Sequence, residues 1–210
     1  MSNHKDLLKG LYAITDENLI PEQHFNQAIE SALQGGAKII QYRDKSNDQN
    51  KRLRQAKALR LLCRQYKSLC IINDDIELAK IVDADGVHLG KDDSSLAKAR
   101  EALGDEAVIG VSCYNDLTLA INAEKDTADY VAFGAIFSST TKPDATIASL
   151  DIISQAKRQL SIPVCTIGGI TEDNLQQVVQ HGADMSAVIS SLFSSSDILQ
   201  TASSLSKHFN

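Results

Sequence analysis

Eight short apolar runs, each followed by a stretch with helical periodicity, limit the folds open to this chain more than any other feature. The runs occupy positions 11–15, 39–43, 70–74, 86–90, 108–113, 130–137, 164–169 and 187–191. They are nearly continuous rather than strictly alternating, as expected for parallel strands covered on their outer face. Between them, Leu59, Leu62, Cys63 and Tyr66 fall at i, i+3, i+4 and i+7, which makes one apolar helical stripe. Segments 26–33, 96–103 and 117–123 behave similarly. Strand–helix alternation of this kind implies βαβ units. Over 210 residues, eight units take about 26 residues each, which predicts an α/β fold, a compact single-domain (β/α)8 TIM barrel. The rival, a doubly wound open sheet, would carry G-x-G-x-x-G after its first strand, and the chain has none.

Punctuation agrees with this reading. Gly35-Gly36, Gly104 and Gly182 stand where helices should close, and Pro163 stands just ahead of a strand, where it cannot interrupt a ladder. No shift in composition marks a second domain. Residues 1–210 are therefore expected to form one domain, with residues 1–9 as a short N-terminal extension.

Charge and composition exclude several function classes. Lys+Arg is 21 against 27 Asp+Glu, a formal net charge of −6, which weighs against a nucleic-acid partner. The apolar runs are too short to span a bilayer, and the polar N-terminus lacks a signal-peptide core, so no membrane partner and a cytoplasmic location are expected. Cys63, Cys70, Cys113 and Cys165 are far apart, form no C-x-x-C and read as buried, reduced thiols. The five histidines show no transition-metal spacing. One segment runs against the overall charge. Lys51, Arg52, Arg54, Lys57, Arg60, Arg64 and Lys67 share one predicted helix without an acid among them. A solvated outer face explains them, and docking of an anionic partner is the alternative. A homodimer is an admissible assembly.

In a barrel the chemistry sits at the C-terminal ends of the strands, which narrows the search to a few windows. The second strand ends in Gln41-Tyr42-Arg43-Asp44-Lys45. Alternation gives Gln41 and Arg43 the same inward face as Ile39, and Lys45 follows in the loop. Two cations and an amide converging there suit a phosphate or diphosphate. An ion pair with Asp44 or Asp74 is the structural alternative. The third strand ends in Asn73-Asp74-Asp75, and Asp92-Asp93 follow the fourth. Carboxylates from adjacent strand ends suit Mg2+, and helix N-capping competes with that role. Asp75 and Asp92 read as caps, whereas Asp74 and Asp93 stay open between the two. His88, inside the fourth strand, reads as a structural histidine.

Ser112 ends the fifth strand and can hydrogen-bond a ligand, but no base accompanies it to make it a nucleophile. The run Ser138-Ser139-Thr140-Thr141-Lys142 after the sixth strand is rich in hydroxyls, and either an anion or simple flexibility accounts for it. Gly168, Gly169, Ile189, Ser190 and Ser191 close the last two strands, the recurrent phosphate-binding region of these barrels. Two anion sites in one barrel suggest an enzyme acting on two phosphorylated small molecules.

The stretches LYAIT, QYRDK, IINDDIELA, DGVHLGKDD, IGVSCYN, DYVAFGAIFSSTTK, IGGIT and AVISS occur in this order. In that order the chain resembles the thiamine-phosphate synthase family from about Gly10 to Phe193. The resemblance implies a (β/α)8 barrel that joins hydroxymethylpyrimidine diphosphate to a thiazole phosphate, or its carboxylated form, by a dissociative, Mg2+-assisted substitution. It places Gln41, Arg43 and Lys45 on the pyrimidine diphosphate, with Asn73 and Ser112 assisting. Tyr42 and Asp44, from the same QYRDK stretch, are counted with the substrate-binding set. Asp74 and Asp93 would ligate Mg2+, and Lys142 would contact diphosphate. Ser139, Thr140, Thr141, Gly169, Ile189 and Ser190 would border the thiazole phosphate. Arg43, Lys45, Ser112 and Lys142 form the catalytic set.

Ala135 and Ser138 stand where the family often has Pro, Ser139 where it often has Thr, and Met185-Ser186 where Gly-Val is usual. The competing readings are a thiazole tautomerase, a non-catalytic precursor-binding protein and an unrelated phosphate-binding isomerase, the last without an evident Glu/His acid–base pair. Tautomerase relatives tend to carry His at the position of Ala135 and to lose the diphosphate set that is intact here.

Overall fold

The computed structural model describes residues 4–90, 95–138 and 146–209. Its eight parallel strands close into a barrel in chain order. They are β1 (Gly10–Ile14), β2 (Ile39–Tyr42), β3 (Leu69–Asn73), β4 (Gly86–Leu89), β5 (Val108–Tyr114), β6 (Tyr130–Phe133), β7 (Val164–Ile167) and β8 (Met185–Val188). The barrel closes at β1, where Tyr12 lies opposite both Ile39 of β2 and Ala187 of β8. Around it run α1 (Phe25–Gln34), α2 (Gln49–Tyr66), α3 (Ile76–Val82), α4 (Leu96–Leu103), α5 (Leu117–Lys125), α6 (Asp151–Gln159), α7 (Glu172–Gln180), α8 (Ser190–Phe193) and α9 (Ile198–Ser206). No helix among the described residues is long and apolar enough to cross a membrane.

The expected strands are present, most within one or two residues of their runs, and two depart further. The sixth is shorter than its apolar run because the chain leaves the ladder at Gly134. Beyond it, Ile136 and Phe137 donate instead to the Ile167 and Gly168 carbonyls. The eighth begins at Met185, ahead of the expected start, and α8 takes over at Ser190.

Period-2 alternation divides the core. Tyr12, Ile14, Ile39, Leu69, Ile71, Tyr130 and Met185 fill the barrel interior. Their neighbours Leu11, Ala13, Ile40, Cys70 and Ile72 face the helices. Helix α1 buries Phe25, Ala28, Ile29, Ala32 and Leu33, a 3.6-residue stripe. In α2, Leu59 and Cys63 are buried, with Leu62 and Tyr66 packed at the edge. All four cysteines are free and buried.

The N-terminal end of the barrel is plugged, and its strands are clipped together there. Leu8, from the segment ahead of β1, is buried in the interior core. Asp85, Asp129 and Asp184 stand immediately before the even strands β4, β6 and β8. Each accepts a hydrogen bond from a backbone N–H of the preceding strand, at Cys70, Ile109 and Val164. Each also pairs with a cation, respectively Arg60, Arg100 and Lys157, at 2.7–3.0 Å.

The basic helix is not simply a solvated face. Lys51 pairs with Asp44, Arg52 with Asp75, Arg54 with Glu22, and Arg60 with Asp83 and Asp85. Carboxylates from neighbouring loops supply the acids that α2 itself lacks.

Candidate active site

A cavity of about 1130 Å³ opens at the C-terminal ends of the strands. That volume is large enough for a two-part ligand. Alternation places Gln41 and Arg43 on its wall, as expected from Ile39, which lies in the interior core. The loop after β1 braces this edge. Thr15 Oγ1 accepts from the Arg43 backbone N–H at 2.8 Å and donates to the Arg43 carbonyl at 3.0 Å. Arg43 Nη1 reaches Asp16 at 3.2 Å. The next loop carries Lys45, whose Nζ lies 2.6 Å from Asp74 Oδ2, and Asn73 donates to the same oxygen.

The same alternation turns the Tyr42 and Asp44 side chains away from the cavity, and neither lines it. Tyr42 is buried and donates to Gln55 at 3.0 Å. Asp44 is buried against Lys51 at 2.8 Å. Burial raises the Asp44 pKa, but hydrogen bonds from Lys51 and Ser46 outweigh it and hold the carboxyl below its usual range. Both residues brace α2 against the second strand end. Asp75 is the N-cap of α3, accepting from the Leu78 N–H at 2.9 Å, and so leaves Asp74 outside the capping role.

Asn73, Ser112, Gly169, Ile189 and Ser190 all line the cavity. Gly169 has a positive φ of 61°, and a Cβ there would lie 2.3 Å from the Ser138 carbonyl oxygen, so only glycine lets the seventh strand end pass so close to the sixth. The capping box of Thr171 and Asn174 fixes the turn into α7, and the Asn174 side chain also donates to the Gly169 carbonyl at 2.9 Å. Asp93, Ser139, Thr140, Thr141 and Lys142 lie outside the described residues, as does Asp92.

Sequence reasoning missed a polar chain crossing the cavity floor. Gln41 Nε2 donates to the Tyr12 hydroxyl at 2.7 Å, and Tyr12 and Tyr130 share a hydrogen bond at 2.8 Å. The Tyr130 hydroxyl meets His88 Nδ1 at 2.9 Å, and His88 Nε2 meets Ser112 Oγ at 2.9 Å. Burial pushes His88 down to about 4, although the Asp74 charge pulls it up, so the imidazole is neutral at neutral pH. Burial raises both tyrosines. The only signal in the sequence was alternation, which gives Tyr12 and Tyr130 the inward face.

The cysteines supply no activated nucleophile, and the base that the sequence does not show for Ser112 is present in space as His88, 2.9 Å from its hydroxyl. Burial pushes the Cys113 thiol up to about 12 and also raises that of Cys165, which lines the cavity. Neither is a thiolate at neutral pH. The donor chemistry at the third strand end fits Mg2+. Asp74 offers a hard carboxylate oxygen, and this ion takes one or two carboxylates together with phosphate oxygens and water.

A family model described as thiamine monophosphate synthase matches residues 11–192. The chain belongs to that family. It is 50% identical over 202 residues to the thiamine-phosphate synthase of Nitrosococcus oceani, covering 96% of this chain and 93% of that protein. It is 48% identical over 197 residues to the thiamine-phosphate synthase of Thioalkalivibrio sulfidiphilus, covering 94% of this chain and 93% of that one. Among solved structures, it superposes on thiamine phosphate pyrophosphorylase from Pyrococcus furiosus with a TM-score of 0.89 and 37% identity, over 99% of this chain and 98% of that one. This member is therefore an enzyme, a transferase of the thiamine-phosphate synthase kind acting in thiamine biosynthesis.

Proposed function

We propose that the enzyme joins hydroxymethylpyrimidine diphosphate to a thiazole phosphate, or its carboxylated form, and releases diphosphate, with CO2 also lost when the carboxylated form is used. The observation that carries this reading is one cavity with two unlike ends. Arg43 on its wall, with Lys45 in the adjoining loop, supplies cations at the second strand end. Gly169, Ile189 and Ser190 supply backbone and hydroxyl donors at the seventh and eighth.

Arg43 and Lys45 bind the diphosphate and orient it, and Lys142 joins them in this reading. The C–O bond to diphosphate breaks, its electron pair leaves with diphosphate, and the aminopyrimidine stabilises the cation left at its exocyclic carbon. The lone pair of the thiazole nitrogen then forms the new C–N bond. Arg43 and Lys45 act where negative charge grows, so they contribute more to the transition state than to the bound substrate. Gly169, Ile189 and Ser190, with Ser139, Thr140 and Thr141, hold the thiazole phosphate so that its nitrogen faces the departing bond, a gain from positioning. Asn73 and Ser112 hold the pyrimidine. Asp74 and Asp93 would hold Mg2+, whose charge neutralises part of the diphosphate. No protein nucleophile is required, consistent with the raised thiols.

Replacing Asp74 by Ala tests the assignment. The Asp74→Ala enzyme is expected to keep its fold, by circular dichroism and thermal melting, and to lose turnover by about a hundredfold or more. Full turnover in that variant would remove the metal role from Asp74. Chelation of the wild-type enzyme with EDTA should have the same effect and be reversed by added Mg2+.

A further inference from the structure

The polar chain across the cavity floor has a direction, and one residue sets it. A side-chain amide nitrogen can only donate, so the Tyr12 hydroxyl oxygen accepts from Gln41 Nε2. Tyr12 is buried and has one proton to give; its Gln41 partner is a donor, so the Tyr130 oxygen is the acceptor left for that proton. Tyr130 then spends its own proton on His88 Nδ1. A neutral imidazole whose Nδ1 accepts must carry its proton on Nε2, and that proton goes to Ser112 Oγ. Ser112 already accepts from the imidazole, and its own hydroxyl proton is left for the cavity. At the other end, with its nitrogen committed to Tyr12, Gln41 has its carbonyl oxygen left for the same cavity.

We propose that Tyr12, Tyr130 and His88 are positioning residues that hold Ser112 as a hydrogen-bond donor and the Gln41 carbonyl as an acceptor toward the ligand. Such a pair reads a heteroaromatic ring that offers a bare ring nitrogen together with an N–H donor, as an aminopyrimidine does. The inference rests on the pyrimidine reading for the identity of the ligand but not for the direction of the chain. Packing keeps the relay rigid. The His88 and Tyr130 rings stack with centroids 5.5 Å apart, and Tyr12 meets Tyr130 edge-on at 6.1 Å. Gly110 leaves room for Tyr130, because a Cβ there would come within 2.0 Å of the tyrosine ring.

Nitrogen-15 NMR of histidine-labelled, unliganded enzyme tests the direction, with the His88 signals assigned by their loss in His88→Gln. The expected result is a protonated Nε2 and a bare Nδ1. The reverse tautomer would overturn the proposal, since a bare Nε2 takes the Ser112 hydroxyl proton and leaves Ser112 only as an acceptor toward the ligand. Tyr130→Phe keeps the ring and removes the link. It is expected to shift His88 toward a mixture of tautomers. It should also raise KM for the pyrimidine diphosphate about fivefold while leaving KM for the thiazole phosphate unchanged. Because Tyr130 acts through Ser112, Ser112→Ala with Tyr130→Phe should be no worse than Ser112→Ala alone. Additive losses, or an unchanged tautomer in Tyr130→Phe, would overturn the relay. A correct tautomer in a protein that makes no thiamine phosphate would instead leave the relay standing and remove the substrate reading.

Discussion

Arg43 combines charge with shape. Its guanidinium is braced by Asp16 at 3.2 Å, and its backbone is held by Thr15 on both sides of the residue. Arg43→Lys keeps the charge but loses the planar fork, so KM for the diphosphate substrate should rise about tenfold. Steady-state kinetics with that substrate varied would check this, and an unchanged KM would mean that Arg43 acts as a point charge only. His88 gives a second prediction at this scale. Its pKa is pushed from about 6.5 down to about 4 in the folded protein. Below about pH 6.5 the unfolded chain takes up a proton that the folded one refuses. The His88 contribution to stability is therefore full above that pH and is lost as pH falls toward 4, by at most about 3 kcal/mol. Urea unfolding at about pH 8 and about pH 5 should show a smaller drop for His88→Gln than for wild type. Parallel drops would refute the buried, neutral histidine.

The strands and helices follow from patterns visible in the sequence, and so does part of the site. Ile39, Gln41 and Arg43 share the inward face because alternation requires it. That rule also turns the Tyr42 and Asp44 side chains outward, since membership of the motif QYRDK carries no information about which face a side chain takes. The Tyr12–Tyr130 bond joins residues 118 positions apart, and no local pattern encodes such a contact. The aspartates before β4, β6 and β8 lie between these cases. An Ala-Asp pair precedes each strand at 84–85, 128–129 and 183–184, but its purpose emerges only once the strands are adjacent. Removing one partner of a buried pair is costly, whereas exposed pairs contribute little. Asp129 is 5% exposed and Asp85 6%, against 31% for Asp184. Alanine at 85 or 129 should therefore lower stability by about 3 kcal/mol, and alanine at 184 by clearly less. Denaturant midpoints would check the ranking, which fails if Asp184→Ala is as damaging as the other two.

At the scale of the whole molecule, the barrel divides its work between two ends. The N-terminal end is plugged by Leu8 and its strands are clipped by the three aspartates, and the C-terminal end opens into the cavity. Leu8→Ala should cost about 3 kcal/mol in unfolding free energy and leave KM for both substrates unchanged, since it hollows the closed end only. A changed KM would show that the two ends are coupled. The spacing of the apolar runs made this barrel legible, whereas the plug was not, because a single Leu ahead of a strand looks like the end of a polar leader. The most direct test of the proposed function is product formation. Purified enzyme would be given hydroxymethylpyrimidine diphosphate, thiazole phosphate and Mg2+, with each omitted in turn. Thiamine phosphate and diphosphate forming in equal amounts, and only in the complete mixture, is the predicted result. Folded enzyme that binds both precursors and forms neither product would contradict it.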